Sequence, residues 1–441
     1  MRVWLINLWD SYRTSLWFIP SLLIGLAAVL GFGLPEVDSS ISSDLPDWLK
    51  TSGSTARSML GALTSAMFAT AGIVFSATAV TLSITASQLG PRLLRSFMGQ
   101  PIAQLTVGCC LATCVFSILL MRKVDDYDGD VFVPHLSVFV ATAMALGTLC
   151  VVVYFIHYVA QSIQPSHVVA TVAKELEQTI ERLFPERIGK GEGENDEARS
   201  LSDQEIKSFL NGESVRATGV GYVVAVDGAG LLKAASASNA AIYLNVRPGD
   251  FVARDAAIAF IKQGDEETKK PNGLNQKVAK SILLENRRTP RQDVECAVND
   301  LVEIAVRALS PGINDPFTAL VCVDRLGAAV AHLAQRGVPS PLRFDDDEQL
   351  RVVARPYTFH SVINAAFDQI RQYGATSAAV SARLMEALLL VAKSTDRRED
   401  QDDVMRQADM IVDAARKSLI TPGDVADVEG RHQEIVKAIG R

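Results

Sequence analysis

Paired cysteines are missing from this sequence: no CxxC stands at metal-ligand spacing, and no loop carries two of them. Cys109, Cys110, Cys114 and Cys150 lie inside apolar runs, while Cys296 and Cys322 fall in helical patterns. That usage excludes a disulfide framework and fits buried thiols in a reducing compartment. Basic clusters are missing too. Lys and Arg number 43 against 50 Asp and Glu, for a net charge of −7. No stretch gathers the cations that displace counterions from phosphates, which excludes a nucleic-acid partner. Catalytic signatures are as scarce. His135, His157, His167, His332, His360 and His432 stand far apart with no HExxH motif, so no metal site is expected. Gly219-Val220-Gly221 leads into a strand pattern, Gly189-Lys190-Gly191 lacks P-loop spacing, and no nucleophile elbow is present. The expectation is a protein that is not an enzyme and carries no cofactor.

Charge is scarce before Pro165 and dense after it. Thr14–Pro35, Ser58–Pro91 and Ser96–Met121 contain no Asp, Glu, Lys or Arg, and from Val131 none occurs until Lys174. A helix needs about 20 apolar residues to cross a bilayer. The runs therefore predict four transmembrane helices, near 15–35, 59–88, 101–121 and 132–160. Trp9, Tyr12 and Trp17 sit where an interfacial aromatic belt belongs, and Trp4-Leu5-Ile6 with Trp9 suggests a short surface helix. No small-x-small site closes the apolar run after Arg13, so the N-terminus reads as a retained anchor. Glu36–Arg57 reads as a polar loop. The Lys/Arg distribution is nearly even between the two sides. Reduced cysteines and the large charged C-terminal region place both termini in the cytoplasm of a bacterial inner-membrane protein.

After the membrane, Val168–Phe184 has helical spacing, and Pro185–Gln204 is rich enough in Gly and charge to be a linker. Val215–Val226, Leu231–Val246 and Phe251–Ile261 are β-branched runs separated by Asp227-Gly228 and Pro248-Gly249. They predict a small antiparallel β unit over 213–262. From about Gln276 onward the apolar spacing becomes helical, with helices over 317–335, 358–373, 378–392 and 402–417. Asp345–Glu348 and Arg397–Asp400 read as solvated loops. The fold class is thus a membrane α-helical domain over 1–165, a helix and linker over 166–212, and a cytoplasmic α+β region. Its β domain covers 213–262, and a helical domain covers 276–441.

Two stripes mark the second span. Ser65, Ala69, Gly72, Ser76, Ala79 and Ser83, continued by Ala86 and Gly90, follow steps of four and three and form a face of small residues suited to close helix packing. Thr78, Thr81, Thr85 and Gln88 form a polar face, displaced by about 200°. Such hydroxyls either bond the carbonyl four residues back or line a pore. Gly90-Pro91 then breaks the helix before Arg92 and Arg95, which suit an interfacial anchor or an anion site. Further on, Pro311-Gly312 stops one helix, and Asp315 before Pro316 has the form of an N-cap. An anion pocket built from Arg288, Arg307, Asn314 and Asp315, with Arg287 nearby, is the functional alternative.

Together these residues resemble the bacterial predicted membrane proteins grouped as domain of unknown function 2254. The resemblance rests on Ser87-Gln88-Leu89-Gly90-Pro91-Arg92-Leu93-Leu94, Arg288-Thr289-Pro290-Arg291-Gln292-Asp293 and Arg307 through Thr318. Gly221-Tyr222, Pro248-Gly249-Asp250-Phe251-Val252 and Ile370-Arg371-Gln372-Tyr373-Gly374 extend it along nearly the whole chain. Leu89 and Gly90 depart from the bulky residue and Ser usual there. The resemblance implies a place in the membrane and carries over no catalytic residues. Three functions compete. The first is a homo-oligomeric channel for ions or small solutes, with the lipid bilayer and further copies of the chain as partners. The second is a membrane-anchored sensor or scaffold, and the third a membrane enzyme.

Overall fold

The computed structural model describes residues 17–41, 46, 50–90, 101–127, 130–162, 164–184, 202–263 and 273–440. The aromatic segment before Trp17, Arg92, Arg95 and most of the linker lie outside them, as does the side chain of Gln88. The chain divides into two compact units, 1–167 and 168–441.

The first unit contains α1 (Phe18–Ile41), α2 (Gly53–Leu89), α3 (Pro101–Met121) and α4 (His135–Ser162). A short hairpin, β1 (Asp125–Tyr127) with β2 (Asp130–Phe132), joins α3 to α4. Helix α3 is the hub, packed against the other three helices. Its small residues explain why. A Cβ on Gly108 would stand 3.0 Å from the Pro20 Cα, and one on Gly31 would stand 2.8 Å from the Leu119 Cδ1, so α1 and α3 meet through missing side chains. Helix α1 runs past Pro35, the expected stop, for a further turn and a half. Asp38 in that extension is 1% exposed and accepts from the Leu136 N–H (3.2 Å), the Ser137 N–H (2.8 Å) and the Ser137 Oγ (2.9 Å). A carboxylate here satisfies the orphan donors at the start of α4. The remaining loop is shorter than Glu36–Arg57, because Ser52 caps α2 by accepting from the Thr55 N–H.

The second unit opens with α5 (Pro165–Leu183) and α6 (Asp203–Leu210), the latter held by a Ser202–Glu205 capping box. Next come β3 (Glu213–Arg216), β4 (Gly221–Val226), α7 (Gly228–Ala237), β5 (Ala240–Leu244), β6 (Phe251–Val252) and β7 (Ala257–Gln263). They are followed by α8 (Leu274–Ser281), β8 (Ile282–Glu285), α9 (Val294–Ala308), α10 (Pro316–Ala334), β9 (Leu342–Phe344) and β10 (Leu350–Val353). The C-terminal helices are α11 (Phe359–Gly374), α12 (Ala378–Ala392), α13 (Arg398–Ser418) and α14 (Pro422–Ile439).

Three readings of the sequence are corrected here. The run expected as a strand from Leu231 begins as helix α7. Asp227 caps it through the Gly230 N–H, and Leu231 and Ala235, one turn apart, bury on the core side. The β structure also extends beyond 213–262. One sheet has the order β3-β7-β5-β10-β9, with β10 parallel to β5 (Val352 opposite Ile242), and a second has the order β6-β4-β8. Finally, the two charged stretches are not merely solvated. Asp345 closes the β9–β10 turn, accepting from the Gln349 N–H (2.8 Å) and Arg351 Nε (2.5 Å). Asp400 is 5% exposed and accepts from Thr395 Oγ1 (3.0 Å) and Arg397 Nη2 (2.7 Å). Burial pushes its carboxyl up against the opposing pull of Arg397.

Among the described residues, five helices are long and apolar enough to cross a membrane: α1 to α4 and α10. The fifth lies in the second unit. Helix α10 packs against α9, α11 and α12, and a Cβ on Gly327 would come within 2.8 Å of the Ala387 Cβ.

Candidate ligand site

The loop Arg287–Asp293 leads from β8 into α9 and ends on the N-cap of that helix. Asp293 accepts from the Cys296 N–H (2.9 Å), and the same carboxylate takes both arms of Arg288, Nε at 2.6 Å and Nη2 at 2.8 Å. The Tyr357 hydroxyl lies 2.7 Å from Asp293 Oδ1 and 2.5 Å from the Pro248 carbonyl oxygen. Asp293 is 1% exposed, so its charge is balanced by one bidentate guanidinium in a setting of low polarity. Burial alone would lower the Arg288 pKa, but the Asp293 bonds and charge outweigh it and hold the guanidinium charged. Burial, then the Asp293 charge, pushes the Tyr357 phenol far up and keeps it protonated.

The turn Arg247–Asp250 lies against this pair. Gly249 has φ +92°, and a Cβ there would stand 2.6 Å from Asp293 Oδ2 and 2.8 Å from Arg288 Nη2. Only glycine combines that backbone with so close an approach. Arg247 bonds Glu295 (2.8 Å) and lies 4.4 Å over the Tyr357 ring. Gln292 accepts the Val226 N–H (2.8 Å) and so fastens the end of β4 to the same loop.

Beside this network is a cavity of about 200 Å³. Its walls are apolar, formed by Leu244 and Val246 at the end of β5, Ala354 and Pro356 after β10, and Leu183 and Phe184 at the end of α5. Arg247, Arg343, Arg355, Ser340 and Tyr357 supply its polar lining. The end of α5 is held firmly: Arg336 donates from Nε to the Phe184 carbonyl (2.7 Å) and from Nη2 to the Glu181 carbonyl (3.2 Å).

The expected pocket of Arg288, Arg307, Asn314 and Asp315 is not assembled. Arg288 pairs with the N-cap of α9, whereas Arg307 lies in the last turn of that 15-residue helix, about 20 Å away at 1.5 Å per residue. Asn314 is exposed with φ +50°. Asp315 caps α10 through the Thr318 N–H (3.1 Å) and Oγ1 (2.5 Å). In the first unit, Ser65, Ala69, Gly72, Ser76, Ala79 and Ser83 are all exposed, and a Cβ on Gly72 would meet nothing within 4 Å. Thr81 and Thr85 are buried instead, and Thr78 and Thr81 each donate to the carbonyl four residues back, at 2.8 Å. Sequence reading missed Arg247, Arg343, Arg355 and Tyr357. The Pro248-Gly249-Asp250 turn was a usable signal for the first; the others arrive by long-range pairing. Among the described residues, no group of three or more His, Cys, Asp or Glu is placed to hold a metal ion.

Comparison with known proteins finds relatives that match along nearly the whole chain. Uncharacterized proteins of Mycobacterium bovis and Mycobacterium tuberculosis are each 28% identical over 439 residues, covering 98% of this chain and 82% of the relative. No solved structure matches. The profile of the family described as predicted membrane protein (DUF2254) matches residues 13–389, and the chain belongs to that family.

Proposed function

We propose that the protein is a membrane-anchored sensor. The four helices α1 to α4 hold it in the bilayer, α10 stays in the core of the second unit, and the cavity of that unit takes a small solute. One observation carries the reading: Leu183 and Phe184, the end of the helix that continues the chain from α4, form a wall of the cavity. A solute there touches the segment that leads to the membrane helices. The volume suits a solute below drug size, and the activity is binding, not catalysis. The full chain in nanodiscs should therefore gain thermal stability in a deproteinised small-molecule extract of the cells that make it, because a ligand of the folded state stabilises by mass action. Ala354→Phe, which fills the cavity, should abolish that gain at an unchanged urea midpoint. No gain, or a gain that Ala354→Phe keeps, overturns the reading.

A permeation pathway has one supporting observation of its own. Thr81, Thr85, Thr106, Thr113, Ser117 and Thr148 are buried inside the first unit, Thr113 and Thr148 have their hydroxyls 3.3 Å apart, and the Ser117 Oγ has no partner among the described residues. Such a path runs within one protomer, not along an oligomer axis. Reconstituted protein should then pass ions at a rate that Thr81→Leu lowers, since an apolar group dewets a narrow path; absence of flux from well-folded protein removes this reading.

A further inference from the structure

We infer that the cavity ligand is a monoanion with a compact apolar body, such as an aromatic or branched aliphatic carboxylate. This rests on the sensor reading and specifies its ligand. The charge balance at the cavity sets the sign. Arg247, Arg343 and Arg355 face two carboxylates, Glu295 and Asp250. Arg247 bonds Glu295 at 2.8 Å and lies 3.9 Å from Asp250, and Arg355 also lies 3.9 Å from Asp250. Among the described residues one positive charge is left over. It belongs to Arg343, whose Nη1 donates to the backbone carbonyls of Ser340 and Leu342 and which has no carboxylate partner among the described residues.

Arg343 is exposed and lines the cavity, as does Ser340, whose carbonyl it bonds. The Ser340 Oγ accepts from the Leu342 N–H (3.2 Å), so its own proton is available to a ligand oxygen. A guanidinium fork with a hydroxyl beside it matches a carboxylate. Leu183, Phe184, Leu244, Val246 and Pro356 make most of the other walls apolar and suit a ligand with an apolar body better than a sugar or another solute polar throughout. A single surplus charge favours one negative charge over the two of a phosphate monoester.

The test is ligand-observed fluorine NMR on the full chain in nanodiscs, with 4-(trifluoromethyl)benzoate as probe and 4-(trifluoromethyl)benzamide as its neutral counterpart. The acid should broaden and the amide should not. Arg343→Glu, an exposed position outside the Arg288–Asp293 network, should weaken acid binding at least tenfold, and benzyl phosphate should compete less well than benzoate. Equal binding of acid and amide, or acid binding that Arg343→Glu leaves unchanged, overturns the anionic class while the sensor reading stands. Binding of neither probe overturns the ligand class as well. The sensor reading fails separately, if the cell extract gives no stabilisation.

Discussion

Replacing Asp293 by Ala should destabilise the second unit by about 3 to 5 kcal/mol, the usual cost of removing one partner of a buried ion pair. The side chain accepts from the Cys296 N–H, from both arms of Arg288 and from the Tyr357 hydroxyl. Alanine removes the cap of α9, takes from a half-buried guanidinium its bidentate counter-charge and leaves it only Glu295 at 3.7 Å, and leaves the buried Tyr357 hydroxyl only the Pro248 carbonyl. Each loss is of the kind that costs more than the bond was worth, because the remaining group is cut off from water. Pulse proteolysis in urea on the full chain would read it as a large fall in the midpoint of the second unit. Combining Asp293→Leu with Arg288→Met and Tyr357→Phe should recover much of the loss, since apolar replacement of a whole buried ionic group is often nearly neutral. A fall below about 1 kcal/mol in Asp293→Ala would mean that the network does not organise this region.

Gly249→Ala should be the next most damaging single change, at roughly 2 kcal/mol or more. Its positive φ alone costs an L-residue about 1 to 2 kcal/mol, and the new Cβ would press on both members of the Arg288–Asp293 pair. Asp293 is buried and held by four donors, so it cannot move aside. Gly312→Ala is the matched control: its Cβ would meet nothing within 4 Å, and its effect should stay within about 0.5 kcal/mol, as for open surface sites. If the two glycines behaved alike, the close approach of the Arg247–Asp250 turn would be wrong.

The sequence was most informative where local chemistry decides the outcome. Helix α3 spans Pro101 to Met121 because proline suits a first helical turn and Arg122 ends the apolar run. Asp315 could be read as a cap because an N-cap acts over three residues. What escaped was non-local. Strand β10 pairs with β5 from more than a hundred residues away, and no local pattern reports such a partner. The small-residue face of α2 shows the same limit. Periodicity identified a face, but which face meets a neighbour depends on the neighbour, and α3 supplied the close contacts through its own Gly108. Likewise, the spacing that suggested a pocket near Arg307 could not reveal that α9 holds Arg288 and Arg307 at its opposite ends. Tyr357 and Arg343 join the site only because β9 and β10 return to the sheet beside β5.

The central claim is that occupancy of the cavity is carried to the membrane helices through α5. Hydrogen exchange of the full chain in nanodiscs, with and without the small-molecule extract, tests it directly when followed at β5, at Leu176–Phe184 and at α4. The account predicts slower exchange at all three. It also predicts that Arg336→Ala, which unpins the end of α5 from the second unit, keeps the slowing at β5 and loses it at α4. Slowing at β5 with no change at Leu176–Phe184 or α4 in the unmodified protein would contradict it.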